Sequence, residues 1–292
     1  MQFRTEIAPL KSCQGIVTHE RPVLLVGSCF SDNIAEELLA DRFQAVGNPF
    51  GPLYNPASIR QGLQILAEAP TLGEADIFEA NGRWNSWQFH SRRSGTTPEE
   101  ALERMNGAIA EGAKALREAS TVILTFGSTR VFRHKGLGQV VANCHKVAAR
   151  EFDERQLTLE EVIAEMRQAV GIIRSVNPSA HIILTVSPLR YLSAGAADNS
   201  VQKAKLLLGA AELAEETIYF PAFEIMMDDL RDYRFYADDM KHPSTQAVRY
   251  IYEIFSASFF TPETAALAAK GRALTKRQSH RPLSGGSQEK SE

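Results

Sequence analysis

The chain has 292 residues, 44% hydrophobic and 23% charged, which is enough apolar side chain to bury one sizeable core. Its 35 acidic and 32 basic residues leave a net charge of -3, with no basic excess to neutralise phosphates, so nucleic acid is not an expected partner. The opening stretch MQFRTEIAPLKSCQGIV lacks the basic-then-apolar order of a secretion signal, and no apolar run approaches the roughly 18 residues of a membrane span. Cys13, Cys29 and Cys144 contain no CxxC pair and are odd in number, which argues against a disulfide framework and for a reducing, cytoplasmic setting.

Val23-Leu24-Leu25-Val26 reads as a buried strand, because all four positions are apolar. A helical pattern follows with Ile34, Ala35, Leu38 and Leu39 on one face, and Phe43 to Val46 reads as a short second strand. Asn55-Pro56 marks an N-cap with proline at the first helical position, ahead of Ile59, Leu63 and Leu66. Residues 70–96 have no regular period and read as an irregular insertion; they carry Trp84, Trp87 and His90, which either pack or cover a pocket.

Thr97 with Glu100 has capping-box spacing and opens a helix through Leu102, Met105, Ile109, Ala113 and Leu116. Val122 to Phe126 is the third strand. A second capping box, Thr158 with Glu161, precedes Val162, Met166, Val170 and Ile173. Ile182 to Val186 is the fourth strand, a helix covers about 199–214, and Thr217 to Phe220 is the fifth strand. The last core helix begins after Pro243, with Val248, Ile251, Tyr252 and Phe255 inward; from Lys276 the sequence is polar and reads as a disordered tail. Strands separated by helices imply right-handed βαβ units, so the expectation is one α/β domain over residues 1–275 with a doubly wound parallel sheet.

Ligands of such sheets bind outside the carboxyl ends of the strands. Gly27-Ser28-Cys29-Phe30-Ser31 lies at one such end, where a nucleophile would stand at a helix N-terminus. The free N–H groups there favour a thiolate and a tetrahedral oxyanion. The plainer reading of the same residues is a serine cap and a space-filling cysteine. Asp239-x-x-His242 precedes the last core helix. Three-residue spacing lets a carboxylate accept from the second imidazole nitrogen and orient a general base, with Asp238 as the neighbouring alternative.

Taken together, GSCF at 27–30, NPFGPLYNP at 48–56, VANCHK at 141–146, VSP at 186–188, YFP at 219–221 and the stretch from Arg231 to DMKHP at 239–243 resemble the GSCFA family, a branch similar to the SGNH/GDSL esterases. The resemblance spans roughly residues 1 to 260, with Ser31 where the family name has alanine. It implies a flavodoxin-like, five-stranded three-layer α/β/α fold and an esterase-type site. Laying Gly27-Ser28-Cys29 over Gly-Asp-Ser puts Cys29 at the nucleophile position, with Ser28 the alternative, His242 as base and Asp239 as its partner.

The resemblance also implies oxyanion donors from the nucleophile N–H, from a glycine (Gly51 or Gly47) and from an asparagine. Gly127-Ser128-Thr129-Arg130 lacks that asparagine, and Asn143 in the stretch Asn143-Cys144-His145-Lys146 is the substitute, a plain turn asparagine being the other reading. Cys29, Cys144, His145 and His242 are soft donors without a recognised zinc spacing, so no metal and no cofactor are expected. Lys146 and Arg130 either hold an anionic substrate group or are solvated charges. The expected activity is hydrolysis or transfer of an acyl group from an ester or thioester of unknown identity. The alternative is a non-catalytic binding module on a degenerate site.

Overall fold

The computed structural model describes residues 4–279. Five parallel strands form the central sheet: β1 (Val23–Gly27), β2 (Ala45–Gly47), β5 (Thr121–Phe126), β9 (His181–Val186) and β10 (Ile218–Tyr219). Their spatial order is β10-β9-β5-β1-β2. With the five strands counted along the chain this is 2-1-3-4-5, the flavodoxin-like order, whose switch point falls between β1 and β5. The apolar runs make these strands because a sheet covered on both faces has no solvent side. Along β1, Leu24 and Val26 enter one core while Val23 and Leu25 enter the other.

Four helices line the first core: α2 (Pro56–Glu68), α3 (Pro98–Glu118), α4 (Leu159–Val176) and α5 (Ala196–Ala211), through Leu63, Met105, Met166 and Leu206. The second core packs α1 (Cys29–Ala40), the one-turn α6 (Ala222–Glu224) and α7 (Thr245–Phe259), through Ile34, Leu38, Ala222, Ile251 and Phe255. Leu39, expected inward, is 52% exposed. Asn55 accepts from Ser58 N–H and Thr158 forms a reciprocal capping box with Glu161. At α3 the box is not reciprocal: Thr97 caps Glu100 N–H, but the Glu100 carboxylate turns to Thr96.

The insertion holds an antiparallel hairpin, β3 (Phe78–Ala80) and β4 (Arg83–Asn85), turned by Asn81 and Gly82, both at positive φ. A second addition lies between β5 and α4. There β6 (Arg130–His134), β7 (Gln139–Val141) and β8 (Phe152–Gln156) form an antiparallel sheet in the order β7-β6-β8. Trp87 stacks on Phe78 with ring centres 3.8 Å apart and lies edge-on to Phe152, so it packs the insertion against this small sheet.

Helix α8 (Pro262–Ser279) runs through the start of the stretch expected as a tail; residues 280–292 lie outside the described residues. It docks on the C-terminal end of α1. Arg272 pairs with Asp41 and with Glu37, and Tyr252 donates to Asp41 Oδ2 at 2.7 Å. Among the described residues no helix is long and apolar enough to cross a membrane, and all three cysteines are free.

Candidate active site

At the end of β1 the backbone turns on Gly27, at φ 154°, where a Cβ would lie 2.2 Å from the Thr125 carbonyl oxygen. Only glycine lets β1 and β5 approach this closely. Ser28 N–H then donates to Thr125 O (3.0 Å), and Ser28 Oγ accepts from Phe30 N–H (3.3 Å) as the N-cap of α1. Ser31, also buried, donates to Thr125 Oγ1 at 2.8 Å. Both serine hydroxyls are thus used by the turn. Cys29, the first residue of α1, is half-buried, and its N–H bonds to no other residue.

Asn48 braces the turn from the loop after β2. Its Oδ1 accepts from Gly27 N–H (2.8 Å), and its Nδ2 donates to Ser28 O (3.2 Å) and Asp32 Oδ1 (2.6 Å). The Cys29 thiol is not acidified as its helix-start position predicts. Burial, and then the Asp32 carboxylate, push it up, with Arg92 and Lys203 pulling the other way.

The second motif folds into a tight, exposed loop. Asp239 Oδ1 accepts from the backbone N–H groups of Lys241 and His242, both at 2.9 Å, and Oδ2 meets His242 Nδ1 at 2.5 Å. These bonds, the His242 N–H first, hold the Asp239 carboxyl well below the usual carboxylate range. Asp238 makes no bond to His242. Ala237 N–H to His242 O (2.8 Å) closes the loop, and Arg190 N–H to Lys241 O (3.1 Å) ties it to the segment leaving β9. Tyr236 forms an antiparallel backbone bridge with Pro243 across the base of the loop. The His242 side chain is 49% exposed, and no hydrogen bond joins it to Cys29.

A family model for GSCFA proteins matches residues 22–255. The chain belongs to the GSCFA family. Solved structures with a similar fold include a protein assigned to the G-D-S-L lipolytic family of Desulfitobacterium hafniense DCB-2 (13% identity, 81% of this chain and 98% of that one, TM-score 0.44). They also include a catalytic variant of an acetylxylan esterase from Geobacillus stearothermophilus (10%, 83% and 95%, TM-score 0.45). A carbohydrate esterase family 3 protein from Talaromyces cellulolyticus is a third (10%, 86% and 99%, TM-score 0.38). No curated protein matches the chain.

Other residues suggested by the GSCFA resemblance fall elsewhere. Gly51 N–H donates to Asn48 O at 2.8 Å, so it is not a free oxyanion donor; its positive φ (76°) and the His90 Cβ, 2.6 Å from where a Gly51 Cβ would be, account for the glycine. Gly47 lets β2 approach α1, since a Cβ there would lie 2.7 Å from Ala35 Cβ. Asn143 Oδ1 accepts from His145 N–H (2.7 Å), the plain turn role, which turns the amide to its own backbone.

His145 is buried edge-on to the stacked Phe78 and Trp87 rings, with Nε2 2.9 Å from Ser86 O; burial lowers its pKa. Burial also pushes the Cys144 thiol up to about 11. Arg130 is paired with Glu154 and Asp198, and Lys146 is exposed. Among the described residues no group of three or more His, Cys, Asp or Glu side chains is placed to hold a metal ion.

Three neighbours of Cys29 did not stand out in the sequence. Arg92 pairs with Asp32 at 2.7 Å beside the thiol. Tyr54 faces it, and burial, then Cys29, push the phenol up to about 12. Lys203 lies below, wholly buried. Asp32 stands in the first turn of α1, while Arg92 and Lys203 reach the site only through the fold.

Proposed function

We propose that this protein hydrolyses or transfers an acyl group from an ester or thioester, with Cys29 as nucleophile, His242 as general acid and base, and Asp239 as the group that orients His242. The observation that carries the reading is the Asp239–His242 dyad. A carboxylate with two backbone N–H donors on one oxygen and an imidazole on the other is pre-set to fix the tautomer and steady an imidazolium. The loop is tied to the chain leaving β9, at the carboxyl edge of the sheet where α1 begins.

In this reading the sulfur adds to the acyl carbon and its proton passes to His242. The imidazolium then protonates the leaving oxygen or sulfur. Water or another acceptor cleaves the thioester, with His242 taking and returning the second proton. The Cys29 N–H, which in this structure faces its own sulfur, serves the oxyanion once the sulfur has added to the acyl carbon. Cys29 is favoured over Ser28 because the Ser28 hydroxyl is buried and occupied as a cap. Substrate binding must bring His242 and Cys29 together, as they share no hydrogen bond in this structure.

Hydrolysis of p-nitrophenyl acetate by wild type, Cys29→Ala, Ser28→Ala and His242→Ala tests the assignment. Cys29→Ala and His242→Ala should each lose roughly a hundredfold or more in kcat/KM, while Ser28→Ala stays active. A second reading, a binding module that has lost catalysis, draws on the pushed-up thiol and the unlinked imidazole. Wild-type rates equal to those of all three variants would favour it.

A further inference from the structure

An acyl carbonyl attacked by Cys29 develops negative charge on its oxygen, and most donors near the turn are already taken. Gly51 N–H is spent on Asn48 O, and the Asn143 amide on its own turn. Gly127-Ser128-Thr129 carries no side-chain amide, and its three N–H groups are bonded to Tyr54 O or Gln202 Oε1. That leaves the Cys29 N–H alone to meet the charge.

Tyr54 stands at this point. Leu53 N–H donates to Gly27 O at 2.7 Å, and Tyr54 O accepts from Gly127 N–H at 2.8 Å and Ser128 N–H at 2.9 Å. The backbone here therefore spans the ends of β1 and β5, the switch point of the sheet, where ligands of doubly wound folds bind. The side chain lies by the nucleophile turn. A Cβ on Gly127 would be 3.5 Å from Tyr54 Cδ1 and 3.3 Å from Ser28 Cβ, so the ring edge and Ser28 flank the same glycine.

From 48 to 59 every residue is buried except Tyr54, which is half-buried. Its hydroxyl has no hydrogen-bond partner among the described residues, although an enclosed tyrosine O–H normally finds one. Phenylalanine would fill the same space, so packing does not account for the hydroxyl. We infer that Tyr54 is a further catalytic residue, whose O–H donates a hydrogen bond to the acyl oxygen as the Cys29 sulfur adds to the acyl carbon.

In that step the S–C bond forms, the carbonyl π pair moves to oxygen and the thiol proton passes to His242. Tyr54 keeps its own proton and shares it with the oxyanion until the carbonyl re-forms and the leaving group departs. Such a donor stands about 3 Å from the acyl oxygen, with the substrate between the phenol and the sulfur. Burial and then Cys29 push the phenol up to about 12, so it remains a donor throughout the neutral range.

The role rests on Cys29 acting as the nucleophile, and its test needs no turnover. A thiolate adds to the carbonyl of trifluoroacetone to give a tetrahedral adduct that has no leaving group. Adduct affinity is measured by fluorine NMR in wild type, Tyr54→Phe and Cys29→Ala. Tyr54→Phe removes only an oxygen that no described residue bonds, so the fold should hold. The adduct should be about tenfold or more weaker in Tyr54→Phe and absent in Cys29→Ala. Alkylation of Cys29 by iodoacetamide, which creates no oxyanion, should run at the same rate in wild type and Tyr54→Phe.

Equal adduct affinity in those two proteins overturns the inference and leaves Cys29 as nucleophile. A matching loss in alkylation rate also overturns it, because Tyr54 would then act on the thiol. An adduct absent from wild type removes the nucleophile, and the role of Tyr54 with it. A Tyr54-dependent adduct in a protein inert towards esters would keep the role and remove the proposed turnover instead.

Discussion

At the end of β1 the nucleophile turn is buried and clamped from several sides: Gly27, Ser28 and Ser31 bond to Asn48, Thr125 or the start of α1. The loop that carries His242 stands in solvent, held chiefly by one carboxylate and a few backbone bonds. The first half of the proposed site is thus placed by packing and the second by local hydrogen bonds. Damage should differ accordingly: changes at the turn should act on stability, and changes at the loop on order and chemistry while the fold stays intact.

Gly27→Ala should strike hardest. It places a methyl group against the Thr125 carbonyl at a backbone angle L residues rarely adopt, and should cost about 4 kcal/mol of unfolding free energy in a urea titration. Asn48→Ala comes next. It leaves Gly27 N–H and Ser28 O without their side-chain partner, for a loss of about 3 kcal/mol, read as a lower denaturant midpoint at unchanged slope.

Asp239→Ala should have the smallest effect on stability and sharpens the contrast. The melting temperature should hold, while amide exchange at Lys241 and His242 speeds up because both lose their acceptor. Because the Asp239 carboxyl titrates below its ordinary range, the wild-type loop should keep that protection as pH falls through the usual carboxylate range. A global unfolding transition shifted by Asp239→Ala, or a Gly27→Ala protein of wild-type stability, would break the comparison.

The contrast also explains what the sequence allowed to be read. The core strands were visible because Val23 to Val26, Val122 to Phe126 and Ile182 to Val186 are apolar at both parities. The small sheet was not: β8 reads Phe-Asp-Glu-Arg-Gln, with only Phe152 buried, and resembles a solvated loop. Helix α8 ends in Lys-Arg-Gln-Ser, which composition alone assigns to a tail. Asp239 and His242 were legible because their bonds are local in sequence. The roles of Gly51 and Asn143 were not, since a motif does not say whether an N–H or an amide is already occupied. Lys203 was hidden for a further reason: a lysine in a helical stretch reads as a solvent-facing charge, and only the crossing of α5 under β5 and β9 encloses it.

Helix α1 behaves as a rod loaded at both ends. Cys29 sits on its first residue, and at the other end Arg272 caps the negative pole with a guanidinium shared between Glu37 and Asp41. The family match stops at residue 255, short of that arginine. An excision made at the family boundary would therefore strip the counter-ion from a nearly buried carboxylate and free the far end of the lever whose near end carries the thiol.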